Sequence, residues 1–235
     1  MLHNSLLALF ITFIAALLWL RVNDFAAHRG WISSHLSRKI IHIGTGPIFV
    51  LCWLLFPGKP ADRFLAALVP GLITIQFALI GFGIIKDDAA VQAMSRTGNS
   101  REILRGPLFY GIVFVLLTII YWLDSPIGII GLMLMCGGDG LADIIGRRYG
   151  RGTLPWSKEK TWLGTMAMLA GGWLFAMGIM TLFISLGTFQ GSALHYILPI
   201  TTIALVCSFI ESLPLKDVDN ITVTLAAIFL GHILL

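Results

Sequence analysis

The strongest constraint on this chain is a series of apolar stretches, each long enough to cross a lipid bilayer. An α-helix needs about 20 residues to span a hydrocarbon core about 30 Å thick. Eight such stretches are predicted, at residues 2–20, 40–56, 64–85, 107–123, 126–145, 164–186, 193–213 and 221–235. They use roughly 160 of the 235 residues, which leaves too little chain for a separate soluble domain. The sequence therefore predicts an all-α polytopic membrane protein with a single transmembrane domain over residues 1–235.

The composition agrees with this class. Hydrophobic residues make up 57% of the sequence and charged residues 12%, whereas about 25% of residues are charged in soluble domains. An ordinary cytosolic protein is therefore excluded. The first stretch lacks a basic leading region and an A-x-A cleavage site, which predicts a retained helix rather than a signal peptide. Cys52, Cys136 and Cys207 are scattered through apolar segments, so neither a disulfide nor a zinc site is expected.

Positive charge is concentrated in alternate loops. Of the 16 Lys and Arg residues, 14 fall in the first, third, fifth and seventh loops, and the other two, Lys59 and Arg63, fall in the second. Because short loops rich in Lys and Arg normally face the cytoplasm, both termini are predicted on the non-cytoplasmic side. Ten of the 12 acidic residues fall on the same side of the bilayer as these cationic loops, and only Asp62 and Asp124 fall on the other side. Polar chemistry is therefore predicted at the cytoplasmic face of the bilayer.

The strongest candidate site is the segment Gly-Gly-Asp-Gly-Leu-Ala-Asp at residues 137–143. On a continuous helix, Asp139 and Asp143 are four residues apart and share one face. Ionised carboxylates at membrane depth are costly unless a cation or a polar cavity compensates them. Mg²⁺ binds one or two protein carboxylates together with phosphate oxygens and water, so both residues are predicted as catalytic metal ligands. The structural alternative is a charged pair at a helix end, neutralised by Arg147 and Arg148.

The segment that follows, residues 147–161, carries five cations among glycines and a proline. Arg can bind a phosphate through two hydrogen bonds, and Lys acts as a mobile point charge, so the segment suits a polyphosphate. The structural alternative is a solvated cytoplasmic loop. Beside a divalent metal, this segment indicates phosphoryl or nucleotidyl transfer, in which catalysis is mainly positioning and charge neutralisation.

Two further clusters precede predicted spans. Arg38 and His42 lie one helical turn apart on one face, where they suit a phosphate or a proton accepted from an alcohol. The structural alternative is that His42 is a satisfied structural residue or an interface anchor, which is the more common case for a single histidine at a helix end. Arg101 and Glu102 each fall within one turn of Arg105 and form a further candidate for function. An internally paired helix start explains this cluster at least as well as a functional role.

Near the last span, Asp217, Asp219 and Asn220 form an acceptable helix N-cap, which explains them structurally.

Four motifs, together with Asp219 and Asn220 before the last span, resemble the phytol, farnesol and dolichol kinase family. The motifs are R-K-x-x-H at 38–42, E-x-x-R-G-P at 102–107, G-D-G-x-A-D with G-R-R-Y-G at 138–150, and S-x-E-K-T-x-x-G-T at 157–165.

The resemblance implies a kinase that transfers the γ-phosphate of CTP to a long isoprenoid alcohol such as phytol or geranylgeraniol, and the phytol kinase branch fits the chain length best. Mg²⁺ would be held by Asp139 and Asp143, and Arg38 and His42 would approach the acceptor hydroxyl. The residues that the resemblance places around the nucleotide are Lys39, Glu102, Arg105, Arg147, Arg148, Lys158, Lys160, Thr161, Asp219 and Asn220.

Two other functions remain open. A cytidylyltransferase acting on a lipid phosphate needs the same metal and cationic segment but releases pyrophosphate. An ion-coupled transporter also keeps carboxylates inside a helical bundle, although its expected internal repeat is not visible. The expected partners are CTP, an isoprenoid alcohol and the lipid bilayer, with no nucleic acid, and the oligomeric state is left open.

Overall fold

The computed structural model describes residues 2–95, 97–215 and 218–235. Arg96, Lys216 and Asp217, which belong to the predicted third and seventh loops, lie outside these ranges. Within the ranges the chain is almost entirely helical and forms ten α-helices. They are α1 (Ser5–His28), α2 (Ser34–Trp53), α3 (Asp62–Gly81), α4 (Asp88–Met94), α5 (Gly106–Ile120), α6 (Pro126–Met133), α7 (Gly140–Tyr149), α8 (Trp162–Ser185), α9 (Ala193–Ser212) and α10 (Asp219–Leu234).

Six helical segments of the described residues are long and apolar enough to cross a membrane. They are α1, α3, Ser100–Ile120, Pro126–Tyr149, α8 and α9. The predicted all-α polytopic membrane fold is thereby confirmed. α10 is apolar but has only 16 residues, and α2 carries polar residues in its first turn and two cations in its second. The count of eight spans and the side on which the termini lie stay predictions.

The helices group into two compact units, Met1–Ile120 and Tyr121–Leu235, and each is described by itself. In the first unit, α1 packs closely on α2. The indole Nε1 of Trp19 donates a hydrogen bond of 3.3 Å to the carbonyl of Ile41. A Cβ at Gly44 would lie only 2.2 Å from the Trp19 ring. Gly44 therefore leaves room for the Trp19 ring beside α2.

The start of α2 differs from the predicted span at residues 40–56. The Ser33 hydroxyl accepts a hydrogen bond from the Leu36 amide and caps the helix, which therefore begins at Ser34. Ser is among the preferred N-cap residues because its side-chain oxygen satisfies one of the free amides of the first turn. Arg38 and Lys39 consequently belong to the second turn of α2 rather than to the loop before it.

In the second unit, α6 continues into a π-helical segment, Leu134–Asp139, which leads directly into α7. Its two glycines face α8. A Cβ at Gly137 would lie 2.5 Å from the Phe175 ring, and one at Gly138 would lie 2.5 Å from the sulfur of Met168. The glycines therefore permit a neighbouring helix to approach closely. Single-turn π segments are rare and occur frequently at functional sites.

The basic segment at 147–161 contains a short antiparallel hairpin instead of an open loop. Its strands are β1 (Thr153–Leu154) and β2 (Ser157–Thr161). Thr161 ends β2 and caps α8, because its hydroxyl accepts a hydrogen bond of 3.1 Å from the Gly164 amide. The hairpin is thus fixed at the start of α8.

Candidate functional site

Three carboxylates of the second unit converge. Asp139 ends the π-helical segment, Glu211 lies in the last turn of α9, and Asp219 is the first residue of α10. One oxygen from each carboxylate lies within 4.8 Å of the others. Only 9% of Asp139 and 3% of Glu211 is exposed. We call Asp139, Glu211 and Asp219 the carboxylate cluster.

Lys160 supplies positive charge to this cluster. Its Nζ donates hydrogen bonds to Glu211 and, at 3.1 Å, to Oδ2 of Asp219. Burial disfavours the charged form of Lys160, but the nearby carboxylates of Glu211 and Asp219 outweigh this effect and raise the pKa of the ammonium group above its ordinary value. Lys160 is therefore a charged counter-ion at neutral pH.

The hairpin is tied to the end of α9 beside the cluster. The indole Nε1 of Trp156, in the turn of the hairpin, donates a hydrogen bond of 3.1 Å to the hydroxyl of Ser212. The Trp156 ring centroid lies 5.7 Å from that of Trp162 and 6.3 Å from that of Phe209. Because Ser212 follows Glu211, this contact holds β2 where Lys160 reaches the cluster.

Asp143 has a different environment from Asp139. Its Oδ1 accepts a hydrogen bond of 2.7 Å from Nε of Arg147, one turn further along α7. The Arg147 side chain is 62% exposed and that of Asp143 is 19% exposed, so the pair is only partly exposed. Asp143 does not belong to the carboxylate cluster. Its contact with Arg147 is one that the structural alternative, a charged pair at a helix end, predicted. Its predicted role as a metal ligand stays a prediction.

The other residues of the basic segment are placed around the hairpin. Lys158 is an exposed residue of β2, two positions before Lys160. Arg148 is also exposed, and its guanidinium lies 5.4 Å from the ring centroid of Tyr149. Thr161 caps α8 as described above. These cations border the segment that carries Lys160.

The predicted N-cap of the last helix is wrong for the two residues that the structure describes. Val218 occupies the N-cap position of α10, and no side chain caps it there. Asp219 instead accepts a hydrogen bond from Lys160. Asn220 is buried in the first turn, and its carbonyl accepts a hydrogen bond of 2.7 Å from the Thr224 hydroxyl. Cluster formation rather than capping explains Asp219.

The predicted acceptor-side residues lie in the first unit, on α2. Arg38, Lys39 and His42 are all half-buried. The His42 ring packs against Tyr110 of α5, with ring centroids 4.4 Å apart. The Tyr110 hydroxyl also donates a hydrogen bond of 2.6 Å to the backbone carbonyl of His42. α5 therefore fixes the position of this turn of α2.

Glu102 and Arg105 also belong to the first unit, at a 3₁₀ turn that leads into α5. The turn spans Ser100–Leu104. The Glu102 carboxylate accepts a hydrogen bond of 2.8 Å from the Thr97 hydroxyl. Its backbone carbonyl accepts one of 3.2 Å from the Arg105 amide. The predicted charged helix start is thus a tight turn held by its own backbone and by Thr97.

Glu211 is not among the site residues predicted from the sequence. This residue is the only charged one within the predicted span at 193–213. An ionisable residue inside a membrane span is by default a functional candidate, so its position alone could have identified it. Its separation from Asp139 by more than 70 residues hid the connection between them.

Chemically, the cluster is a set of hard oxygen donors. Carboxylate oxygens are the ligands that Mg²⁺ prefers, and the ion usually keeps water or phosphate oxygens in its other positions. Three carboxylates from three different segments bring their oxygens within 4.8 Å of one another. The donor set therefore fits a divalent cation.

Similar proteins are known by name. Over 227 residues the chain is 42% identical to "Probable phytol kinase 3, chloroplastic" of Glycine max. This alignment covers 96% of the chain and 71% of that protein. It is 38% identical over 208 residues to "Farnesol kinase, chloroplastic" of Arabidopsis thaliana, with 88% and 67% covered. "Phytol kinase 1, chloroplastic" of Arabidopsis thaliana is 35% identical over 207 residues, with 87% and 68% covered. No protein-family model matches the chain, and no solved structure matches it.

Proposed function

We propose that this chain transfers the γ-phosphate of CTP to a long-chain isoprenoid alcohol. The chain belongs to the phytol and farnesol kinase family and is a phosphotransferase with an alcohol acceptor. The alcohol oxygen forms a bond to the γ-phosphorus, and the bond from that phosphorus to the β–γ bridging oxygen breaks. The products are the alcohol monophosphate, CDP and the proton of the hydroxyl. The names of the relatives support phytol, farnesol or a similar prenol as acceptor.

The observation that carries this proposal is the carboxylate cluster in the second unit of a multi-pass membrane protein. Asp139, Glu211 and Asp219 would hold Mg²⁺, and Asp143 is kept as a further predicted ligand. When bound, Mg²⁺ neutralises charge on the phosphate oxygens of the nucleotide. Burial of Asp139 and Glu211 excludes water and strengthens this electrostatic contribution.

We assign the phosphates of CTP to the cations of the basic segment. Arg147, Arg148 and Lys158 are exposed and therefore accessible to a nucleotide from water. The preference for CTP rests on the family resemblance, which also supports nucleotide contacts from a second set of residues. These are Lys39, Glu102, Arg105, Lys160, Thr161, Asp219 and Asn220.

We further propose that the reaction occurs at the cytoplasmic face, where most Lys and Arg residues are predicted. The hydroxyl of a prenol lies at the bilayer surface, whereas CTP is confined to water, so the two substrates meet only at that boundary. Arg38 and His42 would act at the acceptor, with the imidazole of His42 accepting the hydroxyl proton. The isoprenoid tail stays in the lipid.

The test is a transfer assay with purified protein in detergent. The protein is incubated with γ-labelled CTP, ATP, GTP or UTP, with Mg²⁺, and with phytol, geranylgeraniol, farnesol or dolichol. We expect label in the lipid fraction with CTP and a prenol of the phytol or farnesol type. Arg38→Ala and His42→Ala should lower turnover more than protein yield.

The same assay detects the competing reaction. A cytidylyltransferase given a lipid phosphate releases the γ-label in pyrophosphate, and the lipid gains no label. Label in pyrophosphate, or transfer that proceeds equally with every nucleotide, would contradict the proposal. A reaction without added alcohol is the blank that measures simple hydrolysis of CTP.

A further inference from the structure

We propose that Lys160 is an exchangeable counter-ion, whose ammonium group holds Glu211 and Asp219 in the metal-free protein and releases them when a divalent cation binds. The proposal rests on the proposed function, because that function assigns the metal to the same carboxylates. It gives Lys160 a positioning role that its place in a basic segment does not imply.

Geometry places the ammonium group and the metal in competition. Lys160 donates hydrogen bonds to two of the three carboxylates of the cluster. The cluster oxygens lie within 4.8 Å of one another, so a cation that binds them comes close to Nζ. Mg²⁺ demands near-ideal octahedral ligand positions at about 2.0–2.1 Å. Carboxylates already aligned on an ammonium group must turn to provide these positions, and the two cations repel each other.

The side chain of Lys160 can leave the cluster without unfolding the hairpin. The backbone of β2 is held independently, by pairing with β1, by the cap of Thr161 on α8 and by the bond between Trp156 and Ser212. Lysine has a flexible four-carbon stem, and 23% of this side chain is exposed to solvent. Release therefore needs only side-chain rotation.

A released ammonium group has a new partner during the reaction. It is displaced when the metal binds, and the phosphates of a nucleotide bound to that metal are the nearest anions the reaction supplies. Lys160 would then exchange a carboxylate for a phosphate oxygen. Metal binding and nucleotide binding become coupled in this way, and the coupling acts equally in both directions.

The first test uses the wild-type protein in detergent, without nucleotide. Lysines are modified by reductive methylation, with and without Mg²⁺, and the modification of each lysine is followed by mass spectrometry. We expect Mg²⁺ to speed methylation of Lys160 by at least about fivefold, the lower end of typical coupling between sites. Lys158, exposed on the same strand, is the matched control and should react equally in both conditions. Unchanged or slower methylation of Lys160 would overturn the proposal.

The second test measures metal binding directly. Mn²⁺ bound to the protein is separated from free Mn²⁺ by the loss of its solution EPR signal. Lys160→Met removes the charge but keeps an unbranched, flexible side chain, and we expect at least about fivefold tighter Mn²⁺ binding than in wild type. Lys160→Arg keeps the charge and should bind Mn²⁺ no more tightly than wild type, and it covers the case in which Lys160→Met does not fold. Arg151→Met, which removes an exposed cation two residues before β1, controls for general loss of positive charge.

Equal or weaker Mn²⁺ binding by Lys160→Met, or tighter binding by Lys160→Arg, would overturn the exchange. These outcomes are separate from failure of the proposed function. If wild type labels the prenol from CTP but the lysine variants show no change in Mn²⁺ affinity, the exchange is wrong and the kinase stands. If no prenol is labelled but Lys160→Met gains affinity, the exchange stands and the kinase assignment is wrong.

Discussion

Glu211 illustrates what a single buried charge demands of its surroundings. It lies near the end of an apolar helix and is only 3% exposed. An ionised carboxylate in such a place is unfavourable unless it is paired and hydrogen-bonded. Lys160 provides this pairing, and Asp139 and Asp219 add further negative charge close by. Glu211 thus lies among two further carboxylates and one ammonium group.

The proposed metal-binding role can be tested at two residues of the carboxylate cluster. Asp139→Asn and Glu211→Gln keep the size of the side chain and remove an anionic oxygen ligand. We expect turnover to fall by at least about 100-fold in each, as when a group that stabilises transition-state charge is removed. Folding should be preserved, because Lys160 keeps its bond to Asp219 in Glu211→Gln and Asp139→Asn removes the desolvation cost of a buried carboxylate. Turnover and thermal stability across a Mg²⁺ titration measure both effects.

Asp143→Asn is the informative companion variant. If Asp143 binds the metal, its turnover collapses in the same way as that of Asp139→Asn. If it only pairs with Arg147, the loss is that of a surface ion pair, about 0.3–0.5 kcal/mol of stability, with no change in Mg²⁺ dependence. Wild-type turnover in Asp139→Asn or Glu211→Gln would contradict the assignment of that residue as a metal ligand.

Among the elements, the hairpin is positioned by an unusually close contact. A Cβ at Gly150 would lie 2.4 Å from the carbonyl oxygen of Gly146 and 2.4 Å from the hydroxyl of Thr161. Real side chains do not approach so closely, and the Gly146 oxygen belongs to the backbone. Thr161 ends β2 and caps α8, so the end of α7 sets the position of the strand that carries Lys160.

We therefore expect Gly150→Ala to displace Thr161 and to destabilise the protein by about 1–3 kcal/mol, the usual cost of overpacking. Turnover per folded molecule should fall as well, because Lys160 lies next to Thr161. Gly152→Ala is the matched control, since a Cβ there meets only the Trp162 ring at 3.9 Å. Thermal unfolding and the transfer assay compare the two. Equal behaviour of both variants would show that the hairpin does not depend on this contact.

The elements also show what a sequence can and cannot reveal. Long apolar helices such as α8 and α9 were predicted well, because membrane-spanning length is a local property of the chain. The hairpin was missed because its position depends on Ser212 and Gly146, which are distant or unremarkable in the sequence. The π-helical segment was also missed, since its glycines were compatible with a continuous helix. Asp139 was recognised from its motif, whereas its partner Glu211 was visible only as an isolated charge.

For the whole molecule, the distribution of Lys and Arg predicts the orientation in the membrane. Positions in the first, third, fifth and seventh loops are predicted on one side, and those in the second loop and at the C-terminus on the other. The three native cysteines are all buried, so a protein with one added cysteine has little background for labelling from water. Single introduced cysteines can therefore report the side of each loop.

We expect cysteines replacing Lys86, Arg151 and Lys216 to react with a membrane-impermeant maleimide from the cytoplasmic side only. Cysteines replacing Lys59 and Leu235 should react from the other side, because the positive-inside bias places these positions there. Inside-out and right-side-out vesicles provide the two directions of access. Labelling of the Lys59 and Arg151 positions from one and the same side would contradict both the topology and the assignment of the chemistry to the cytoplasmic face.

The position of Asp219 has a consequence for biosynthesis. The carboxylate cluster draws on residues 139, 211 and 219 in that order, so its last member is synthesised after every helix from α1 to α9. A nascent chain that ends just after α9 already contains the six segments that are long and apolar enough to cross a membrane. It still lacks the residue that completes the cluster. On the proposed function, we therefore expect membrane insertion to precede activity, and a chain terminated before Asp219 to be inserted but inactive.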